Sequence, residues 1–272
     1  MPDLWTDLLG CLDITKTSAG DGVTAEYEGR NQQLEYHRVF GGQLLGQFLR
    51  IAALTCPEKT VKSQHAIFTR EGRADEPVRY EAVRAHEGRS FAAVTITATQ
   101  SRGVIATASV SMHAVEFGPE HQEVESVGPV LGPEYMLPLD LIPWETRASV
   151  DLNATTTGPP QFEFWMRTPA VAQELAPALA AYATDLTLIG TALRPIEGAD
   201  QRGNGTTFTS AVTSHTVWFH RPFRTDGWLL LRQHSPVLAH GRSFGRGDVL
   251  TEDGVLVASY GQEALLRFTE RR

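Results

Sequence analysis

Leu44-Leu45-Gly46-Gln47-Phe48-Leu49-Arg50 returns as Leu188-Ile189-Gly190-Thr191-Ala192-Leu193-Arg194, 144 positions further along the chain. Two other segments return in the same order. Arg73-Ala74-Asp75 becomes Arg224-Thr225-Asp226 at an offset of 151, which also carries Arg70 to Arg221. Gly88-Arg89-Ser90-Phe91 recurs unchanged as Gly241-Arg242-Ser243-Phe244 at an offset of 153. An order kept while the offset drifts is what loop insertions make of a duplicated unit, here of about 120 residues. Positions where the copies differ in chemistry then point to the half that works.

Around the repeated heptapeptide, residues 40–54 are apolar on nearly every face, so this helix must be surrounded by protein. A short amphipathic helix is expected over 5–12. Strand-like runs follow the apolar helix at 63–70, 78–85, 90–100 and 103–115, separated by turn signals such as Glu87-Gly88 and Arg102-Gly103. The second half repeats the plan. A strand is expected over 161–167 and a largely apolar helix over 175–193. Further strands are expected over 206–220, 228–233, 243–251 and 255–268. One buried helix followed by antiparallel strands describes a sheet wrapped around a helix. Between the copies, Pro119, Pro129, Pro133, Pro138 and Pro143 mark a linker. The expected domains are 1–118, a linker over 119–150, and 151–272.

The 272 residues carry a formal net charge of −8, from 24 basic and 32 acidic side chains, which argues against a nucleic-acid partner. Two cysteines, Cys11 and Cys56, make no disulfide framework, and a reducing cytoplasmic compartment is expected. Asp3 and Asp7 interrupt the N-terminal apolar residues, against a signal peptide, and Glu270-Arg271-Arg272 is no peroxisomal tripeptide. No uninterrupted apolar run approaches the roughly 18 residues of a spanning helix, so no membrane partner is expected.

The copies differ most at the helix entry, where Gly41-Gly42 faces Asp185-Leu186. Asp185 reads either as a helix N-cap or as a carboxylate able to orient water, and the two are compatible. Gln262 and Glu263 interrupt the last strand opposite Ser111 and Met112, and only one of two strand neighbours can point inward. His215 reads as a core histidine or as part of a polar face. Arg221, Arg224, Arg242 and Arg246 are candidate phosphate contacts. Gly241-Arg242-Ser243-Phe244-Gly245 matches the nucleophile elbow of α/β-hydrolases, but no histidine follows Ser243 and the next residues start a strand, so it reads as a feature of the fold. No metal-ligand spacing or nucleotide loop is present, and neither a metal nor a cofactor is expected.

Arg38-Val39-Phe40-Gly41-Gly42-Gln43, Tyr182-Ala183-Thr184-Asp185-Leu186, Trp218-Phe219-His220-Arg221-Pro222-Phe223, and 253–259 with Gln262-Glu263 resemble the acyl-CoA thioesterase II family, the double hotdog thioesterases. The resemblance covers nearly the whole chain. It implies an α+β double hotdog, two tandem repeats each with a long helix wrapped by an antiparallel sheet. It also implies hydrolysis of fatty acyl-CoA to fatty acid and CoA by activated water. The family's Asp and Gln match Asp185 and Gln262. Its hydroxyl residue falls on Val212 and a following Asp on Ser214, so Ser214 is the candidate third catalytic group, with Thr213 reaching that face only after a one-residue register shift. The alternative is a weak hydrolase or an acyl-CoA-binding relative. A hotdog hydratase would need a His five residues after Asp185, where Gly190 stands. A homo-oligomer is expected by analogy.

Overall fold

The computed structural model describes residues 3–18, 20 and 22–269; the C-terminal tripeptide weighed above lies outside these. The chain divides into two compact units. The first comprises residues 1–122, 174–183 and 216–219, and the second 123–173, 184–215 and 220–272.

In the first unit, helix α1 (Leu4–Leu12) precedes strands β1 (Thr15–Ser18) and β2 (Thr24–Gly29), helix α2 (Gly41–Thr55), and strands β3 (Thr60–Phe68), β4 (Val78–Glu87), β5 (Phe91–Gln100) and β6 (Gly103–His113). The strands run in the order β1-β2-β4-β5-β6-β3, with neighbours antiparallel. Helix α2 packs across β2 to β6. Leu45, Phe48, Ile51 and Ala52 are buried without remainder, which is why its sequence is apolar all round. Gly42 keeps its place because a Cβ there would lie 2.6 Å from the Tyr182 carbonyl oxygen.

The second unit contains β7 (Glu145–Arg147), β8 (Gln161–Arg167), helices α3 (Ala176–Thr184) and α4 (Leu188–Leu193), then β9 (Phe208–Phe219), β10 (Leu229–Ala239), β11 (Arg242–Thr251) and β12 (Leu256–Phe268); residues 176–183 of α3 and 216–219 of β9 belong to the first unit. The strand order is β7-β8-β10-β11-β12-β9, the order of the first unit taken strand for strand, and α4 packs on β8, β10, β11 and β12. Smaller features repeat too. Arg73 grips Asp75 with contacts of 3.0 and 2.6 Å, and Arg224 grips Asp226 in the same two-pronged way at 2.8 and 2.5 Å.

Three expectations need correction. The helix expected over 175–193 is broken at 185–187. The hydroxyls on either side of the break turn away from the helix, Thr184 to His215 and Thr187 to Gln233, as threonine side chains that compete with helical geometry can. The stretch expected as a linker, 119–150, belongs from residue 123 onward to the second unit. Val124, Val127, Val130 and Leu131 pack against Trp165, Leu230 and Leu250, and residues 145–147 pair with β8. The prolines of this stretch cannot donate to a ladder, but the residues between them can still bury valines and pair with an edge strand. Strand β10 runs six residues past the expected end at 233, because a register shift between His234 and Val237 accommodates Pro236.

Among the described residues, the stretch Gln173–Leu193 is long and apolar enough by composition to cross a membrane, which no uninterrupted apolar run had suggested. Yet 78% of its window is buried inside the protein, as in the core helix of a globular protein.

Candidate active site

Both copies lock their helix to their sheet with a polar contact at equivalent positions. Residues four apart lie on one helix face. On α2 these are Gln43 and Gln47, and the Tyr80 hydroxyl on β4 donates to Gln47 Oε1 at 2.5 Å while Gln43 Nε2 donates to the same oxygen at 3.2 Å. At the offset of 144 they become Thr187 and Thr191. Here the long side chain is on the sheet: Gln233 of β10 accepts from Thr187 at 3.0 Å and donates to Thr191 at 2.5 Å. Gln233 also accepts from the Tyr260 hydroxyl at 2.9 Å, and burial pushes the Tyr260 phenol well above its ordinary pKa. Replacing Gln233 with Leu orphans two buried hydroxyls, at about 1–3 kcal/mol each. We expect Gln233→Leu to lower the unfolding free energy by about 2–4 kcal/mol, read as a reduced urea midpoint.

This lock stands at the start of α4, next to the helix entry, where Asp185 takes the place of Gly41. Asp185 is 4% exposed. It is not the N-cap of α4; that residue is Thr187, which has helical dihedrals and makes no side-chain cap. Thr184, the residue before Asp185, is fully buried, and its Oγ1 lies 3.0 Å from His215 Nε2. His215 Nδ1 lies 2.9 Å from Gln262 Oε1 on β12. The His215 ring also stacks on Tyr260, with centroids 6.2 Å apart and planes 11° from parallel. Gln262 is 2% exposed, and its Nε2 has no hydrogen-bond partner among the described residues.

The structure thus links Gln262 through His215 to the residue beside Asp185. Of the pair at the end of the chain, Gln262 is the one turned inward, while Glu263 pairs with Arg242 at 2.9 Å. Ser214 is half-buried beside His215. Buried His215, Val217 and Phe219 share one parity on β9 and buried Phe208 has the other, so the alternation changes phase between them. Thr213 donates to the Glu263 carbonyl at 3.0 Å. The hydroxyl joined to Gln262 through the imidazole is that of Thr184, a residue the sequence reading passed over. No spacing could have found it, since Thr184, His215 and Gln262 are 31 and 47 positions apart.

Other candidates resolve simply. Ser243 sits on β11 between Leu238 and Ala264 in the ladder, after a turn in which His240 and Gly241 both have positive φ (53° and 71°). That is a strand–turn–strand hairpin and not the strand–turn–helix of a nucleophile elbow. Arg224 and Arg242 are held by Asp226 and Glu263, Arg221 Nη1 donates to the Leu256 carbonyl, and Arg246 is exposed.

A helix packed on an antiparallel sheet, repeated once in the chain, defines a double hotdog protein, and its second copy buries Asp185 and Gln262. An acyl-CoA thioesterase N-terminal domain model matches residues 32–113, and the corresponding C-terminal domain model matches 114–266. The chain belongs to the acyl-CoA thioesterase II family. It is 31% identical to acyl-CoA thioesterase 2 of Haemophilus influenzae over an alignment of 299 residues, covering 99% of this chain and 100% of the relative. It is 28% identical to human acyl-coenzyme A thioesterase 8 over 89% of this chain and 84% of the relative. Among solved structures, the acyl-CoA thioesterase II TesB2 of Mycobacterium marinum is similar with a TM-score of 0.80 and 30% identity, covering 97% of this chain and 100% of that one. A hotdog-fold protein from Alicyclobacillus acidocaldarius, at 18% identity and a TM-score of 0.74 over 97% of this chain and 98% of that one, shares the fold.

Proposed function

We propose that this thioesterase hydrolyses fatty acyl-CoA by direct attack of water, with Asp185 and Gln262 as its catalytic residues. Asp185 accepts a proton from the water as its oxygen bonds to the thioester carbonyl carbon. The C–S bond then breaks, and the departing thiolate takes up a proton to give CoA and the free acid. Gln262 donates from Nε2 to hold the water or the developing oxyanion. A thioester is already activated, so one general base, typically worth about 10²–10⁴-fold, and one donor, worth about 10²–10³-fold, suffice without a covalent intermediate. Ser214 takes no step in this reading. The observation that carries it is the Gln262 amide nitrogen, buried with no partner among the described residues, since leaving such a donor unmet costs about 1–3 kcal/mol and a substrate or water molecule would satisfy it.

The test is thiol release from acyl-CoA of graded chain length, followed with a thiol-reactive chromophore. Both cysteines of the protein are buried, and burial pushes the Cys11 thiol up to about 12, so the native enzyme contributes little background. Release of CoA at one or more chain lengths is the expected result. Tight binding with no release at any length would leave an acyl-CoA binder instead. A homo-oligomer in a reducing cytoplasm belongs to the same proposal, supported by exposed Ile67, Phe91 and Trp218 and by thiols left free.

A further inference from the structure

We infer that His215 is a positioning residue for this hydrolysis: held between Thr184 and Gln262, its imidazole sets which end of the Gln262 amide faces the reacting groups. The inference rests on the reading of Asp185 and Gln262 given above. The Gln262 carbonyl oxygen can only accept, so the hydrogen of the 2.9 Å contact is on His215 Nδ1. In a neutral ring Nε2 is then a lone pair, and the Thr184 hydroxyl donates to it at 3.0 Å. The amide oxygen and the Nδ1–H thus hold each other's orientation, and the Thr184 hydroxyl, which can donate or accept, completes the contact at Nε2. Stacking on Tyr260, whose hydroxyl is tied to Gln233, fixes the plane of the ring.

The orientation matters because the opposite tautomer would reverse the amide. Nδ1 would accept from Gln262 Nε2, leaving Oε1 as the free end of the amide, so that with the Asp185 carboxylate the site would offer two acceptors and no donor. With Nδ1 protonated, a carboxylate acceptor and an amide donor are presented, the complementary pair that water attack on a carbonyl needs. Thr184 is adjacent to Asp185 in the chain, so the same imidazole ties the segment carrying the base to the strand carrying the donor. Misplacing a group by about 1 Å at such a site can cost up to about 10²-fold in rate.

The test compares His215→Asn, His215→Gln and His215→Phe in the full chain by steady-state kinetics with a hydrolysed acyl-CoA, each with its thermal unfolding curve. Asn places an amide donor near the Nδ1 position, Gln reaches toward the Nε2 position, and Phe keeps only the ring. His215→Phe and His215→Gln are expected to lose up to about 10²-fold in kcat with KM little changed, and His215→Asn to recover most of it. Wild-type kcat in His215→Phe, or equal losses in all three variants, would overturn the assignment. Thr184→Val and Thr184→Ser supply a second arm should the ring variants not fold: the inference requires loss of kcat in the first and its retention in the second, and equal kcat in both refutes it. Gln262→Met is measured alongside. If it keeps wild-type turnover, the reading of the site itself has failed; if it loses turnover while His215→Phe does not, only the role of His215 falls.

Discussion

Asp185→Asn is expected to lower kcat for acyl-CoA hydrolysis by about 10²–10⁴-fold while the protein stays folded. The substitution keeps shape and removes the basic oxygen lone pair that accepts the water proton. Asn also matches Asp in volume at this site, which is 4% exposed in the break between α3 and α4 and is not the N-cap of α4. The loss of the carboxylate should therefore be seen in chemistry, with KM little altered and the thermal midpoint close to wild type. Turnover equal to wild type in a folded Asp185→Asn protein would remove the carboxylate from the mechanism. A loss confined to KM would instead make Asp185 a binding group, since kcat is where an interaction formed only in the transition state appears.

The two copies explain what was legible before any coordinates. Leu44 to Arg50 and Leu188 to Arg194 lie on helices of matching place, and the two Arg-x-Asp segments make the same ion pair, so self-comparison located the architecture without a partner sequence. Mismatch between the copies also singled out Asp185 against Gly41 and Gln262 against the stretch at Ser111. What stayed hidden was local or tertiary. Strands β1, β2 and β7 escaped notice because they are short and largely polar, and the last six residues of β10 because Pro236 reads as an end when a bulge absorbs it. Thr184 and His215 were ordinary in their own neighbourhoods. Only the pairing of distant strands against the broken helix gives them a role.

Gln262→Met is the complementary case, with an expected loss of about 10²–10³-fold in kcat, the usual weight of one donor to a developing oxyanion. Met is similar in length and carries no hydrogen on its tip, so packing on β12 is largely kept. Stability should move in an informative way. The wild-type amide buries Nε2 without a partner among the described residues, a cost that the substitution relieves. Met also strands the Nδ1–H of His215, a buried donor worth about 1–3 kcal/mol when unpaired. The two effects oppose, so the single variant should unfold close to wild type despite its lost activity. Adding His215→Phe removes that donor but strands the Thr184 hydroxyl in its place, so the double variant should match Gln262→Met in urea midpoint and exceed His215→Phe, which strands both Thr184 and the Gln262 oxygen, while remaining inactive. Such non-additivity is what a shared hydrogen-bond network produces, and it fits a site that gives up stability to keep a donor ready. Strictly additive midpoints would mean that Gln262 and His215 do not act together, and an active Gln262→Met would mean that the amide does not touch the reacting groups.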